Sequence, residues 1–398
     1  MNAKTAFNTT VLFRVDASLT IGSGHLMRCL TLAQAMRARG WQVIFCCREH
    51  PGHQIALVEL QGFSCWRLPL LYPPAATAQL HKASAVTGHQ APEGNLQWLG
   101  ATEQQDAAAV LQLLQQQPQQ PDLLVIDHYG LGVEFETALN PHCGHILVID
   151  DLANRRHCAD FLLDQNLLPA AEQRYQALLP ASCQQFIGPV YALLRPEFVT
   201  LNSHPCRQRV AQSDVSQKNF SPQPFQLLVF FGGSDLDNLT AFTIAALQEL
   251  QNLPWLADIV IGSANPHLSL LQQLCEEDHR LTLHVQTPGM ATLMAKAQLM
   301  IGGGGATHWE RCAMALPALV VSLAANQQPT SSYLAQLGAC VYLGASSTLS
   351  RSDLCREIAE LWRQPDKLQQ MAQVAATLVA PEGGCQRLLD ELADKIEP

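Results

Sequence analysis

The sequence predicts an α/β protein with two domains, each built on a parallel sheet. Its 398 residues are more than one ordinary core holds, and about 150 residues per domain is a common size. Short apolar runs alternate with helical segments, which is typical of parallel strands covered on both faces. The polar, proline-bearing stretch 203–224 resembles a linker. We therefore expect domains at 1–202 and 225–398.

In the first domain, runs that are apolar at consecutive positions are the strand candidates. These are residues 11–15, 41–48, 122–127, 145–150 and 160–164. Apolar residues at helical spacing predict a helix near 25–39, and another begins near Asp106. Residues 70–107 are less regular and are expected to form a surface excursion before that second helix.

The second domain repeats this organisation, with a helix between most neighbouring strands. Its strand candidates are residues 225–231, 257–262, 281–285, 297–302 and 318–323. Ligands of such sheets bind beyond the carboxyl ends of the strands. We therefore expect the chemistry in a cleft between the halves, supplied by glycine-rich loops of both.

Charge and cysteine content narrow the class of protein. Lys and Arg total 24 against 34 Asp and Glu, and the net charge of -10 disfavours non-specific binding to nucleic acid or an anionic membrane. No apolar run approaches the roughly 18 residues of a membrane span, and the N-terminus has no apolar core typical of a signal peptide. The 13 cysteines are scattered without C-x-x-C pairs. A cytoplasmic enzyme, without nucleic-acid or membrane partners, is expected.

The first glycine turn lies between the first strand and the first helix. Gly22 and Gly24 would let a ligand approach the backbone, and a helix N-terminus favours an anion. A dinucleotide fingerprint would place a third glycine at Met27, and its absence argues against NAD. His25 is instead a candidate ligand-binding side chain, with helix capping or packing as the alternative.

A second glycine row, Gly302–Gly305, continues into Ala306 and Thr307 before a helix. Its amides and the helix dipole could bind a phosphate. Glu310, about one turn into the helix, could accept hydrogen bonds from ribose hydroxyls, or could be a solvated first-turn carboxylate. A third glycine-bearing strand end carries Ser234 and Thr240, which could cap a helix or bind phosphate.

Carboxylates at four strand ends allow other chemistries. They are Asp127, Asp150, Asp151 and Asp164. Two of them could serve a glycosidase, and Asp150, Asp151 and His128 could bind a metal. However, neighbouring strand residues point to opposite faces, so Asp150 and Asp151 would share one ligand only across a bend. Helix caps and loop anchors are the simpler interpretation of Asp150 and Asp164. The sequence has no G-x-S-x-G element of a serine hydrolase.

Several motifs together resemble one known family. The segments FRVDASLTIGSGHLMRC, LLVIDHYGL, LVIDDLANRRHCADFLLDQN and GPVYALLRPEF are similar to the UDP-sugar hydrolases of the pseudaminic acid pathway, from about residue 11 to 345. The segment GGGGATHWERCAMALPALVVSLAANQ also resembles the nucleotide-sugar domain of the lipid-II-forming N-acetylglucosaminyltransferase. The resemblance implies two Rossmann-like domains facing across a cleft, the glycosyltransferase-B type. It also implies hydrolysis of UDP-2,4-diacetamido-2,4,6-trideoxy-β-L-altropyranose to UDP and free sugar.

The resemblance assigns roles to residues that match the family's motifs. His25 is implied to be catalytic, with Tyr129 and Asn326 near the reacting sugar. The implied substrate-binding set is Arg14, Asp16, Gly22, Gly24, Arg28, Gly303, Gly304, Gly305, Ala306, Thr307, Glu310 and Gln327. Residues 203–224 and His308-Trp309 depart from the family's pattern.

The family needs neither a metal nor a cofactor, and we expect a monomer. Two alternative functions remain: a glycosyltransferase with a UDP-sugar donor, and a non-catalytic nucleotide-sugar sensor.

Overall fold

The computed structural model describes residues 9–18, 21–71, 98–202 and 224–397. These residues form two compact units. The first contains the described residues up to Asn166, Ala170–Leu193 and the segment from Gly384 onward. The second contains Leu167–Pro169 and the described part of Leu194–Gly383. Most of the predicted linker, residues 203–223, lies outside the described residues.

The first unit contains a seven-stranded parallel sheet with strand order β3-β2-β1-β4-β5-β6-β7. The strands are β1 (Thr10–Val15), β2 (Gln42–Arg48), β3 (Ser64–Leu68), β4 (Leu123–Asp127), β5 (His145–Ile149), β6 (Phe161–Asp164) and β7 (Gln184–Ile187). The α-helices that follow in chain order are α1 (Gly24–Ala38), α2 (Ile55–Leu60), α3 (Glu103–Leu114) and α4 (Val133–Leu139).

Both faces of this sheet are buried, which explains the consecutive apolar residues in its central strands. In β1, Val11 and Phe13 belong to one hydrophobic cluster, whereas Leu12 belongs to a second cluster. In β4, Val125 and Ile126 divide between the same two clusters. Because β1, β4 and β5 are adjacent and parallel, their carboxyl ends lie side by side. The candidate site residues of this unit follow these strand ends.

The second unit contains a six-stranded parallel sheet with strand order β10-β9-β8-β11-β12-β13. The strands are β8 (Phe225–Phe230), β9 (Trp255–Ile261), β10 (Leu281–Val285), β11 (Leu299–Gly303), β12 (Ala318–Ser322) and β13 (Val341–Ala345). The helices are α5 (Pro196–Asn202), α6 (Leu239–Glu249), α7 (Leu268–Glu277), α8 (Met290–Lys296), α9 (Thr307–Ala313), α10 (Gln328–Gln336), α11 (Arg351–Trp362) and α12 (Pro365–Thr377). The prediction of two parallel-sheet α/β domains is confirmed.

The last helix, α13 (Gly384–Ile396), belongs to the first unit. Its apolar face, with Leu388 and Leu392, completes the hydrophobic cluster that also contains Val11. A Cβ added to Gly384 would overlap the backbone of Tyr191, so the chain packs closely there. The sequence-based division at 1–202 and 225–398 therefore differs from this arrangement, because an amphipathic C-terminal helix can pack on either domain.

None of the helices in the described ranges is long and apolar enough to cross a bilayer.

Candidate functional site

The first cluster of candidate site residues lies where β1 passes into α1. Gly22 has a φ of +78°, in the left-handed region that glycine adopts without strain. A Cβ at Gly22 or Gly24 would meet no atom of the described residues within 4 Å. His25 follows in the first turn of α1 and is only 9% exposed. The sequence-predicted site therefore lies at the carboxyl edge of the sheet.

His25 is bound by a carboxylate from the neighbouring strand. Its Nδ1 lies 2.5 Å from Oδ1 of Asp127, the last residue of β4. Nη2 of Arg28 also lies 3.1 Å from Nδ1. An ionised carboxylate only accepts hydrogen bonds, so in the neutral imidazole the Asp127 contact favours the tautomer with the proton on Nδ1 and the lone pair on Nε2. Burial by itself raises the pKa of Asp127, but the positive charge of Arg28 and the His25 contact hold that pKa well below its usual range. His25 can therefore act as a base through Nε2.

Arg28 occupies the same face of α1, three residues after His25. Its Nε donates to Oδ2 of Asp127 at 2.6 Å and its Nη2 donates to Oδ1 at 2.6 Å. Its Nη1 donates to Asp151 at 3.3 Å. The guanidinium of Arg28, predicted as a substrate contact, is thus bound to two carboxylates in this structure. Its direct effect is to keep Asp127 ionised and oriented.

Tyr129 joins the same cluster from the loop after β4. The ring of Tyr129 stands edge-on to the ring of His25, with centroids 4.5 Å apart. The centroid of the Trp98 ring lies 5.8 Å from that of Tyr129. Its hydroxyl donates to Oδ1 of Asp151 at 2.7 Å. Burial, followed by the negative charge of Asp151, raises the pKa of Tyr129, so the phenol stays protonated. Its oxygen therefore offers lone pairs to a ligand.

Two carboxylates of this cluster have partners that sequence analysis did not predict. Asp127 and Asp151 were considered there as carboxylates of a possible glycosidase, and Asp151 also as a metal ligand, but not as partners of His25, Arg28 or Tyr129. The available signal was their position after β4 and β5, because carboxyl ends of adjacent parallel strands meet at one sheet edge. The sequence pattern alone does not tell which side chain each carboxylate binds.

Arg14 and Asp16, assigned to the substrate-binding set by resemblance, are both fully buried. Arg14 Nη1 donates to Oδ1 of Asp16 at 2.7 Å, and Nη2 donates to Asp106 at 2.7 Å. Asp16 also accepts the backbone amide of Arg48 at 2.6 Å. The two side chains therefore belong to a buried hydrogen-bond network at the end of β1.

The second cluster, in the second unit, is the glycine row after β11. A Cβ at Gly304 would overlap the hydroxyl of Ser331, so only glycine fits there. The amide of Gly304 donates to the Val321 carbonyl at 3.2 Å and is therefore already used. Among the described residues, no bond engages the amides of Gly305, Ala306 and Thr307. Those three amides are the donors that this loop can offer to an anion.

Asn326 and Gln327 lie in the short 3₁₀ turn after β12. The side-chain oxygen Oε1 of Gln327 accepts a hydrogen bond from the backbone amide of Leu323 at 2.9 Å. Its amide nitrogen would lie 3.7 Å from a Cβ on Gly305, which places Gln327 beside the glycine row. The side chain of Asn326 is exposed. Asn326 and Gln327 thus belong to the second cluster, whereas His25 and Tyr129 belong to the first.

Glu310 lies in α9 and is bound by an arginine that sequence analysis left without a role. Arg195 donates to Oε1 of Glu310 from Nε at 3.0 Å and from Nη2 at 2.9 Å. Burial raises the pKa of Glu310, and Arg195 opposes that rise. The side chain of Glu310 is 19% exposed. It is therefore a paired, mostly buried group, and the alternative of a solvated first-turn carboxylate does not describe it.

The third glycine-bearing strand end is closed by its own helix cap. Asp235 accepts the amides of Leu239 at 3.0 Å and Thr240 at 2.8 Å. The side chain of Thr240 is fully buried, while Ser234 is exposed. The helix is therefore capped, but by Asp235 and by Asn238, which accepts the amide of Ala241, rather than by Ser234 or Thr240.

The remaining strand-end carboxylates also have structural partners. Asp150 binds Arg155 at 2.6 Å and caps the amide of Ala153, and Asp164 binds Arg174 at 2.8 Å. Across the described ranges, no group of three or more His, Cys, Asp or Glu could hold a metal ion.

The two sheets and their loops define a two-domain α/β protein with the glycosyltransferase-B fold. Residues 227–383 match the family described as "Glycosyltransferase family 28 C-terminal domain". The chain is similar to the UDP-2,4-diacetamido-2,4,6-trideoxy-beta-L-altropyranose hydrolase of Campylobacter jejuni, with 25% identity over 82% of this chain and 97% of that protein. The resemblance predicted from the motifs is thereby confirmed.

Solved structures agree on the fold. MurG from Acinetobacter baumannii superposes with a TM-score of 0.62 and 17% identity, covering 97% of this chain and 99% of that one. Arabidopsis thaliana UGT89C1 complexed with UDP gives a TM-score of 0.64 and 15% identity, covering 98% of this chain and 99% of that one. At these identities the likeness concerns the fold alone.

Proposed function

We propose that the protein is an enzyme that acts on a UDP-sugar, and that it hydrolyses this substrate to UDP and free sugar. The observation that carries the proposal is the pair His25 and Asp127, with Nδ1 bound at 2.5 Å and Nε2 left as a base. The similarity to the Campylobacter jejuni hydrolase supports UDP-2,4-diacetamido-2,4,6-trideoxy-β-L-altropyranose as the substrate, and pseudaminic acid biosynthesis as the pathway.

The reaction needs a base more than a strong acid, because the diphosphate is already a good leaving group. A water oxygen attacks the anomeric carbon while Nε2 of His25 takes a proton from that water. The bond between the anomeric carbon and the bridging oxygen breaks, and UDP leaves with the electron pair. Base catalysis of this kind typically contributes on the order of 10² to 10⁴ in rate. Asp127 stabilises the imidazolium that forms, and Arg28 keeps Asp127 ionised.

The second cluster binds the nucleotide in this proposal. The amides of Gly305, Ala306 and Thr307 donate to diphosphate oxygens, where negative charge develops as the bond breaks. The oxygen Oε2 of Glu310 accepts from the ribose hydroxyls, because Arg195 binds the other oxygen, Oε1. Gln327 and Asn326 contact the sugar and its phosphate from the neighbouring turn.

A glycosyltransferase is the second candidate, and a specific observation favours it. The family that residues 227–383 match is described as a glycosyltransferase domain, and UGT89C1, which shares the fold, was solved as a complex with UDP. In a transferase the base would take a proton from an acceptor hydroxyl rather than from water. The two functions therefore differ in product: a hydrolase releases free sugar without any acceptor.

The test is to incubate purified protein with a panel of UDP-diacetamido-trideoxyhexoses and to follow UDP release and the anomeric configuration of the product by NMR. The expected result is UDP and free sugar in equal amounts, released about two to four orders of magnitude more slowly by His25→Asn. Release from no member of the panel would contradict the hydrolase proposal. Binding of the UDP-sugar without turnover would instead support a nucleotide-sugar sensor.

A further inference from the structure

Arg195 is held in one orientation at the start of the second unit. It follows Leu194, the first residue of the long segment Leu194–Gly383 of the second unit, and it immediately precedes α5. Its Nη1 binds Glu197 at 3.0 Å, and its guanidinium lies 4.9 Å from the centroid of the Phe198 ring. The remaining donors, Nε and Nη2, both reach Glu310. The arginine therefore presents one edge of its guanidinium to that carboxylate.

The carboxylate of Glu310 depends on this arginine. Burial raises the pKa of Glu310, and Arg195 is the positive group that lowers it. The negative charge of Glu197 acts in the same direction as burial. Within the described part of the chain, Arg195 and Glu197 are the charged groups acting on Glu310. Without Arg195, the carboxyl would lose the charge that compensates its desolvation.

The two hydrogen bonds have a geometric consequence. Both end on Oε1, so the carboxylate plane is fixed and Oε2 is left for other donors. A pair of vicinal hydroxyls, as on ribose, offers two donors to such an oxygen. Glu310 meets that need best while it is ionised, because protonation turns one oxygen into a donor and weakens the other as an acceptor.

We propose that Arg195 is a positioning residue for the nucleotide: it holds the Glu310 carboxylate ionised and oriented so that Oε2 accepts from the ribose hydroxyls. This inference rests on the proposed function, in which Glu310 binds the ribose of a UDP-sugar. The competing explanation is purely architectural, because α5 also packs against α9, and Arg195 could simply fasten these two helices.

The experiment measures UDP affinity of the full chain by calorimetry from pH 5.5 to 8.5, for wild type, Arg195→Met, Arg195→Lys and Glu310→Gln. The UDP affinity of each variant is given as the ratio of its Kd to the wild-type Kd at the same pH. The effect of ionisation of UDP itself is common to both values and cancels. We expect Arg195→Met to weaken UDP about 10-fold or more at pH 5.5, and less at pH 8.5 where Glu310 ionises again. Arg195→Lys should keep the charge but lose one bond, giving a smaller loss that varies little with pH.

Glu197→Gln is the matched control, since it removes the other carboxylate on the same guanidinium and should change UDP affinity by less than about twofold. When Glu310 is already replaced by Gln, Arg195→Met should weaken UDP binding little further. The pH dependence of the Kd ratio should then vanish. A loss that is independent of pH and persists in that background would show an architectural role and overturn the proposal. Near-wild-type affinity of a folded Arg195→Met at pH 5.5 would also overturn it.

Failure of the proposed function gives a different result. If Glu310→Gln alone binds UDP as wild type does, the ribose contact is absent and the inference falls, while UDP-sugar turnover by His25 can still be measured separately. If Arg195→Met does not fold, Arg195→Lys tests the proposal instead. Unchanged UDP affinity in Arg195→Lys would contradict the need for both hydrogen bonds from Arg195 to Oε1 of Glu310.

Discussion

Nδ1 of His25 and Oδ1 of Asp127 lie 2.5 Å apart, although 102 positions separate the two residues in the chain. The contact is possible because β1 and β4 are adjacent parallel strands, with Val15 paired to Asp127. His25 lies in the first turn of the helix after β1, and Asp127 ends β4. The pair therefore forms at the sheet edge where ligands of this fold class bind.

His25→Asn should lower kcat by about two to four orders of magnitude, because it removes the base while keeping a polar side chain. UDP affinity should stay nearly constant, since the proposed nucleotide contacts lie in the second unit. The measurements are kcat, UDP Kd and melting temperature on the same preparation. A folded variant with near-wild-type kcat would remove His25 from the mechanism.

Asp127→Asn should lower kcat and stability together. The amide no longer holds the proton on Nδ1 or balances the buried charge of Arg28, and breaking a buried ion pair costs about 3–5 kcal/mol. Asp151→Asn is the matched control, because Asp151 binds Arg28 at the longer distance of 3.3 Å and its side chain is 14% exposed. Turnover per folded molecule, measured with chemical unfolding, separates the two effects. Equal losses in both variants would contradict a special role of Asp127.

Asp164 should make the protein less stable as pH rises. Burial, with a further contribution from Asp151, raises the pKa of Asp164 to about 6, against the opposing Asn166 amide and Arg174. The folded state thus holds the proton more tightly than the unfolded state, whose pKa is about 3.9. Between these two pH values the unfolding free energy should fall by an amount on the order of 3 kcal/mol.

The check on Asp164 is the slope of unfolding free energy against pH between 4 and 6, which Asp164→Asn should flatten. Asp160→Asn is the control: Asp160 caps the amide of Ile146 at 2.9 Å and its side chain is 45% exposed. Because Asp160 immediately precedes the same strand, β6, that variant gives the stability change expected from removing a carboxylate at this strand. An unaltered slope in Asp164→Asn would show that another group carries the pH dependence.

Gly384→Ala should destabilise the first unit by more than the roughly 1–3 kcal/mol typical of overpacking, because the new Cβ overlaps the backbone between Tyr191 and Ala192. Gly132→Ala is the matched control in the same unit: its nearest atom would be the Arg156 carbonyl oxygen at 3.5 Å, and its φ of -149° suits any residue. The measurement is the melting temperature of both variants. Equal melting temperatures would mean that α13 moves without cost.

Chelation should leave turnover unchanged, because the proposed stabilisation of the leaving UDP comes from the amides of Gly305, Ala306 and Thr307. The measurement is kcat before and after EDTA treatment, with buffer exchange as the control. Loss of activity that magnesium or manganese restores would show that the strand-end carboxylates, including Asp150 and Asp151, had been assigned too small a role.

Three strands that sequence analysis missed, β3, β7 and β13, each lie at a sheet edge, although the fourth edge strand, β10, was predicted. They carry residues such as Arg67 in β3 and Gln184 in β7, so the consecutive apolar pattern that marks central strands is weak there. An edge strand has one neighbour and one partly open side, and its sequence is less constrained by burial.

The local sequence determined the two-sheet α/β class, the central strands, the glycine turns and the positions of His25 and Tyr129. These features depend on burial pattern and on backbone freedom at a few consecutive residues. Tertiary structure decided which charges meet: Asp127 with His25, Asp151 with Tyr129, and Arg195 with Glu310. It also decided that α13 completes the first unit. Such contacts depend on strand order and helix packing across the chain, which short-range periodicity does not specify.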